Sequence, residues 1–106
     1  MKESNFNATA QKLIEAHGGY VVKTIVNNKA GVSDMLACIN GRFCALEGKL
    51  KYNNMSELQK VHHILVVKAG GLSACVKIIA DVHEVIHRAK TGFKQSVPFE
   101  LESFEL

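Results

Sequence analysis

Asp34-Met35-Leu36-Ala37-Cys38-Ile39-Asn40-Gly41-Arg42-Phe43-Cys44-Ala45-Leu46-Glu47-Gly48-Lys49 consists of two apolar runs joined by Asn-Gly. This dipeptide is the strongest short hairpin signal, because both residues tolerate the positive φ that a two-residue reversal demands. The spacing predicts strands over Asp34–Ile39 and Arg42–Lys49, with facing residues whose numbers sum to 81. Asp34 then faces Glu47, their β-carbons about 4.5–5.5 Å apart. Lys49 falls on the face of Glu47, because side chains alternate along a strand. The rest of that face, Leu36, Cys38, Phe43 and Ala45, is apolar.

Like charges placed opposite one another repel, so two carboxylates beside an apolar surface call for a cation. Hard oxygen ligands suit Mg²⁺ or Mn²⁺. A cation held in this way, with a lysine beside it, supports phosphodiester hydrolysis: the metal lowers the pKa of a water molecule, and the ammonium steadies the nucleophile or the growing phosphate charge. The competing reading is a strand-end ion pair of Lys49 with one acid. Register separates the two, since a single bulge would send the acids to opposite faces.

Outward from the hairpin, Phe6, Ala10, Leu13, Ile14 and His17 recur at helical spacing over Glu3–His17, with Gly18-Gly19 as the stop. Tyr20–Val26 is β-branched and reads as a strand. Ser56-Glu57-Leu58-Gln59 has the form of a capping box opening a helix to about Ala69, ended by Gly70-Gly71. Leu72–Ile79 reads as a fourth strand, and Asp81–Lys90 as a helix whose apolar face is Val82, Val85, Ile86 and Ala89. The order α-β-β-β-α-β-α predicts an α/β (α+β) domain with one mixed sheet. Its central strands, apolar on both faces, are expected to be covered on both sides.

A chain of 106 residues, 47% hydrophobic and 22% charged, fits one globular domain and excludes a disordered chain. No apolar stretch approaches the roughly 18 residues of a membrane span. The opening Met1-Lys2-Glu3-Ser4-Asn5-Phe6 lacks the apolar run of a secretory signal, so the expected location is the cytoplasm. Cys38, Cys44 and Cys75 are odd in number, form no CxxC pair and lie among apolar neighbours, which predicts buried free thiols. The net charge of +3 is unevenly spread. Residues 1–95, the expected domain, hold every Lys and Arg, whereas the tail 96–106 holds Glu100, Glu102 and Glu105 and no base. The body therefore suits a polyanion.

These residues resemble the VRR-NUC nucleases, a branch of the PD-(D/E)XK (restriction-endonuclease-like) superfamily, and the small stand-alone bacteriophage members in particular. The likeness runs from Glu3 to Ile79. It rests on the helix led by Glu3, then Gly18-Gly19-Tyr20-Val21-Val22-Lys23, Gly31-Val32-Ser33-Asp34, Gly41 to Lys49, Ser56-Glu57-Leu58-Gln59 and Gly70-Gly71. The resemblance implies an α-β-β-β-α-β core, with metal binding by Asp34, Glu47 and the backbone carbonyl of Gly48. It implies Lys49 as catalytic lysine, Glu3 as a first-helix acid near the metal, and Gln59 as a supporting second-helix residue. It also implies a Mg²⁺-dependent endodeoxyribonuclease, Mn²⁺ substituting, that acts on branched DNA such as a Holliday junction as a homodimer. If the protein is phage-encoded, it would act in the host cytoplasm. Lys23, Lys29, Lys51 and Lys60 are candidate phosphate contacts. Ser33 stands where the family has proline, Gly48 where it has an aliphatic residue, and Asn7 where a glutamine is common.

His83-Glu84-Val85-Ile86-His87 spells HExxH, the zinc-peptidase pattern of two histidines on one helix face with a glutamate base. Here both histidines fall on the polar side of an amphipathic helix, and zinc needs a third protein ligand. A zinc metallopeptidase is thus one alternative, and a non-catalytic DNA-binding module on the same scaffold is another.

Overall fold

The computed structural model describes residues 3–24, 34–49, 56–92 and 94–95, with side chains from Asn5 onward. The hairpin closes as its residues dictate. Asn40 and Gly41 adopt φ of 53° and 79°, and β2 (Met35–Ile39) pairs antiparallel with β3 (Arg42–Gly48), Met35 facing Leu46 and Ile39 facing Arg42. No bulge interrupts this register, so Asp34 and Glu47 are the next facing pair along it. β1 (Tyr20–Lys23) lies antiparallel on the other side of β2, and β4 (Leu72–Val76) runs parallel to β3, in the order β1-β2-β3-β4.

Among the described residues three helices complete the element order: α1 (Glu3–Ala16), α2 (Glu57–Lys68) and α3 (Ile79–Thr91). The fold is therefore α+β with one mixed sheet, as the pattern predicts. α1 and α3 cover one face, where Phe6, Ala10, Ile14, Val82, Val85, Ile86 and Ala89 pack on Met35, Ala37, Ile39, Cys44, Leu46, Leu72 and Val76. Leu46, Met35 and Ile14 are fully buried there. α2 buries His63, Ile64, Val66 and Val67 on the opposite side, over β3 and β4.

A single helix cannot cover four strands, since strands lie about 4.8 Å apart and a helix is about 10 Å wide. The expectation of double coverage is met by β3, whose residues Cys44 to Gly48 are all buried. It fails at β1, β2 and the start of β3, where Tyr20 (71% exposed), Val22 (45%) and Phe43 (48%) form an open apolar strip with Leu36 and Cys38. Cys38 is accordingly exposed rather than buried, and Cys75 is half-buried; Cys44 alone follows the expectation. Burial pushes the Cys44 thiol up to about 11, which leaves it inert.

Two boundaries move for a common reason. Asp81 Oδ2 accepts the backbone N–H groups of Lys77 (2.8 Å) and Ile78 (3.2 Å). These bonds end β4 at Val76 instead of Ile79 and start α3 two residues earlier than predicted. At the free edge of β4, the Gln95 side-chain amide stands in for a neighbouring strand, bonding both Ser73 N–H and Ser73 C=O at 2.9 Å. The predicted β1 residues Ile25 and Val26, and the acidic tail 96–106, lie outside the described residues.

Candidate active site

The register carries Asp34 and Glu47 to the end of the hairpin away from its turn, and both helical layers reach them there. Asp34 occupies the bend before β2, held by the Thr24 N–H on its carbonyl at 2.9 Å. Its backbone N–H donates to Glu47 Oε2 at 3.0 Å. Its carboxylate Oδ2 accepts the Gly48 N–H at 3.2 Å and, in a long bond of 3.4 Å, the Asn7 amide of α1. Glu47, in β3, is 3% exposed. Its Oε1 accepts Gln59 Nε2 from α2 at 2.8 Å and faces Lys49 Nζ at 3.6 Å. Lys49 follows β3 directly, its backbone N–H fixed by Val76 C=O at 3.0 Å.

Gln59 shows how one side chain serves fold and site together. Its Oε1 accepts the Ser56 N–H at 2.8 Å while its own N–H donates to Ser56 Oγ at 3.2 Å, the reciprocal capping box expected from the sequence. That bond leaves Nε2 aimed at Glu47. The cap thus fixes the start of α2 and hands the second carboxylate a donor.

Electrostatics follow from this packing. Burial, then the charge of Asp34, pushes the Glu47 carboxyl up to about 7. The Asp34 N–H and Lys49 pull it down without prevailing. One lysine does not balance two carboxylates in a half-buried site, and a proton makes up the difference near neutral pH. A divalent cation would do the same. Among the described residues no three His, Cys, Asp or Glu side chains gather as a metal cluster. The described residues offer two carboxylates with the adjacent Gly48 peptide, a set that fits Mg²⁺, which keeps several of its waters and takes one or two carboxylates.

The remaining sequence-predicted residues divide. Glu3 opens α1, but its side chain lies outside the described residues, as do Lys29 and Lys51. Lys23 is exposed at the end of β1, next to the Thr24 that holds Asp34. Lys60 lies in the first turns of α2 and pairs with Glu57 at 3.5 Å. The HExxH residues gather no metal cluster among the described residues. His83 and His87 are exposed on α3, and Glu84 is committed to Arg88 at 2.8 Å. An open cleft of about 640 Å³ lies at the opposite, turn end of the hairpin; among the described residues its lining includes Arg42 and Lys90 and no carboxylate. Asn7, in the sequence only a replacement for a common glutamine, reaches the site from α1. Its signal was the glycine at 48, where an aliphatic residue was expected.

No family model matches the chain. No curated protein matches it either. A solved structure described as a VRR_NUC domain matches it with a TM-score of 0.70 and 24% sequence identity, covering 80% of this chain and 94% of that one. At this identity the match establishes architecture. The chain has the fold of a VRR_NUC domain.

Proposed function

We propose that the protein is a Mg²⁺-dependent DNA endonuclease, Mn²⁺ substituting, that hydrolyses phosphodiester bonds. The observation that carries this reading is the meeting of Asp34, Glu47 and Lys49 at one end of the hairpin, with Glu47 raised to about 7 by burial and then by the charge of Asp34. Asp34, Glu47 and the Gly48 carbonyl would hold the cation. When bound, it would lower the pKa of a water molecule and offset charge on the phosphate.

The side chains divide the remaining work. Asp34 Oδ2 accepts the Gly48 N–H and the Asn7 amide, which orient the carboxylate that would hold the cation. Gln59 fixes the Glu47 carboxylate, so binding costs little reorganisation. Lys49, half-buried beside Glu47, is positioned to steady the attacking water or the pentavalent phosphate charge. Glu3 is proposed as a further acid at the site. Lys23, Lys29, Lys51 and Lys60 would contact backbone phosphates, Lys60 by exchanging Glu57 for one.

Branched DNA, with the Holliday junction as its type, is the proposed substrate, cut by a homodimer because symmetric strands call for symmetric sites. The open strip of Tyr20, Val22 and Phe43 is the surface proposed to meet the second copy. The proposed setting is the cytoplasm, that of the host for a phage-encoded chain; no helix among the described residues is long and apolar enough to cross a membrane.

The test is incubation of the purified protein with branched and linear DNA in Mg²⁺, Mn²⁺, Zn²⁺ or EDTA. Cleavage in Mg²⁺ or Mn²⁺, lost in EDTA and in folded Asp34→Ala and Lys49→Ala, is the expected result. DNA binding without cleavage under every metal would overturn it.

A further inference from the structure

Gly48 is the last residue of β3 and has no positive φ, so its backbone does not require glycine. A glycine within a strand weakens it and marks a place where something approaches closely. Here that neighbour is Asn7. A β-carbon on Gly48 would run into Asn7 Oδ1 and come within 3.0 Å of its Cγ. The Asn7 amide occupies the space that a side chain at position 48 would fill.

Packing alone does not account for this arrangement. Asn7 Oδ1 is buried without a hydrogen-bond partner, and asparagine is a poor helix former. A small residue at position 7 with an aliphatic one at 48 would fill the same space at neither cost. Turning the amide over would set Oδ1 against the Asp34 carboxylate, so the orphaned oxygen is the consequence of aiming Nδ2 at Asp34 Oδ2. The same Asp34 oxygen accepts the Gly48 N–H. Asn7, Gly48 and Asp34 therefore close a triangle that includes two of the proposed cation ligands.

We infer that Asn7 is a positioning residue admitted by the missing side chain of Gly48, and that the two form one unit setting the Asp34 carboxylate against the Gly48 peptide. This rests on the proposed cation site. It also couples the two departures at positions 7 and 48, because the glycine makes room for the amide.

The experiment compares wild type with Asn7→Ala, Gly48→Ala, the double variant Asn7→Ala/Gly48→Ala, and Asn7→Leu, which keeps the shape of the amide and removes its donor. Mn²⁺ affinity and metal-free hydrogen exchange of the residue-48 amide are measured on each folded chain. Gly48→Ala is expected to weaken Mn²⁺ binding at least about 10-fold, as loss of a ligand-orienting contact does. The double variant is expected to recover at least about 3-fold of that loss, a non-additivity diagnostic of direct coupling. Asn7→Leu is expected to fold, bind Mn²⁺ more weakly and exchange the Gly48 amide faster. Strictly multiplicative effects, or wild-type exchange and affinity in Asn7→Leu, would overturn the inference. If wild type bound no Mn²⁺, the cation site would fall, while the exchange data would still report on the Asn7–Gly48 unit.

Discussion

Two segments of this chain spell catalytic patterns, and the fold treats them in opposite ways. The Asp34…Glu47-Gly48-Lys49 hairpin is met from both layers, by Asn7 of α1 and Gln59 of α2, and its glutamate is 3% exposed. In the His83-Glu84-Val85-Ile86-His87 segment the two histidines and the glutamate stand on the exposed side of α3, the glutamate spent on an i,i+4 pair with Arg88. The second match is the more literal one. A pattern gains chemical meaning when residues far apart in the chain converge on it, desolvate it and leave its charge unbalanced.

The largest effect that would break this contrast is on cleavage. Asp34→Ala or Lys49→Ala is expected to lower the rate at least about 100-fold, whereas His83→Ala and Glu84→Ala leave it unchanged, as read by gel assay on branched DNA. Next comes Gln59, whose amide serves cap and site. Gln59→Ala is expected to weaken Mn²⁺ binding about 10–100-fold and to destabilise the fold by about 1 kcal/mol. Ser56→Ala should cost similar stability while keeping the affinity, which separates the two roles.

The pH dependence sharpens the contrast further. Because the folded carboxyl of Glu47 is raised from 4.5 to about 7, its contribution to metal-free stability is complete below pH 4.5 and lost as pH rises through 7. Buried His63, held below its usual 6.5, acts oppositely: stability is lost as pH falls beneath 6.5. The difference between wild type and Glu47→Gln in chemical denaturation isolates the first effect, expected to be on the order of 1–3 kcal/mol between pH 5 and 8. Saturating Mg²⁺ should abolish that decline. The smallest effect belongs to the α3 surface, where Glu84→Ala should cost only about 0.3–0.5 kcal/mol in the same assay.

Much of this was legible in the residues because its causes are local. Asn40-Gly41 dictates a two-residue turn, the turn dictates the register, and the register brings Asp34 to Glu47. Ser56 and Gln59 likewise declare their own cap. What escaped depends on contacts between distant segments. The reach of Asp81 back to Lys77 and Ile78 moved two boundaries. The width of α2 against four strands decided that Cys38 would be exposed. The role of Asn7 needed α1 laid across the end of β3, which no spacing within either element reveals.

Calorimetric titration of Mn²⁺ into wild type and Asp34→Asn at pH 8, where Glu47 is ionised, tests the cation site most directly. Binding by wild type that weakens at least about 10-fold in the folded variant is the predicted result. Equal binding by both chains, or none by wild type, would contradict it.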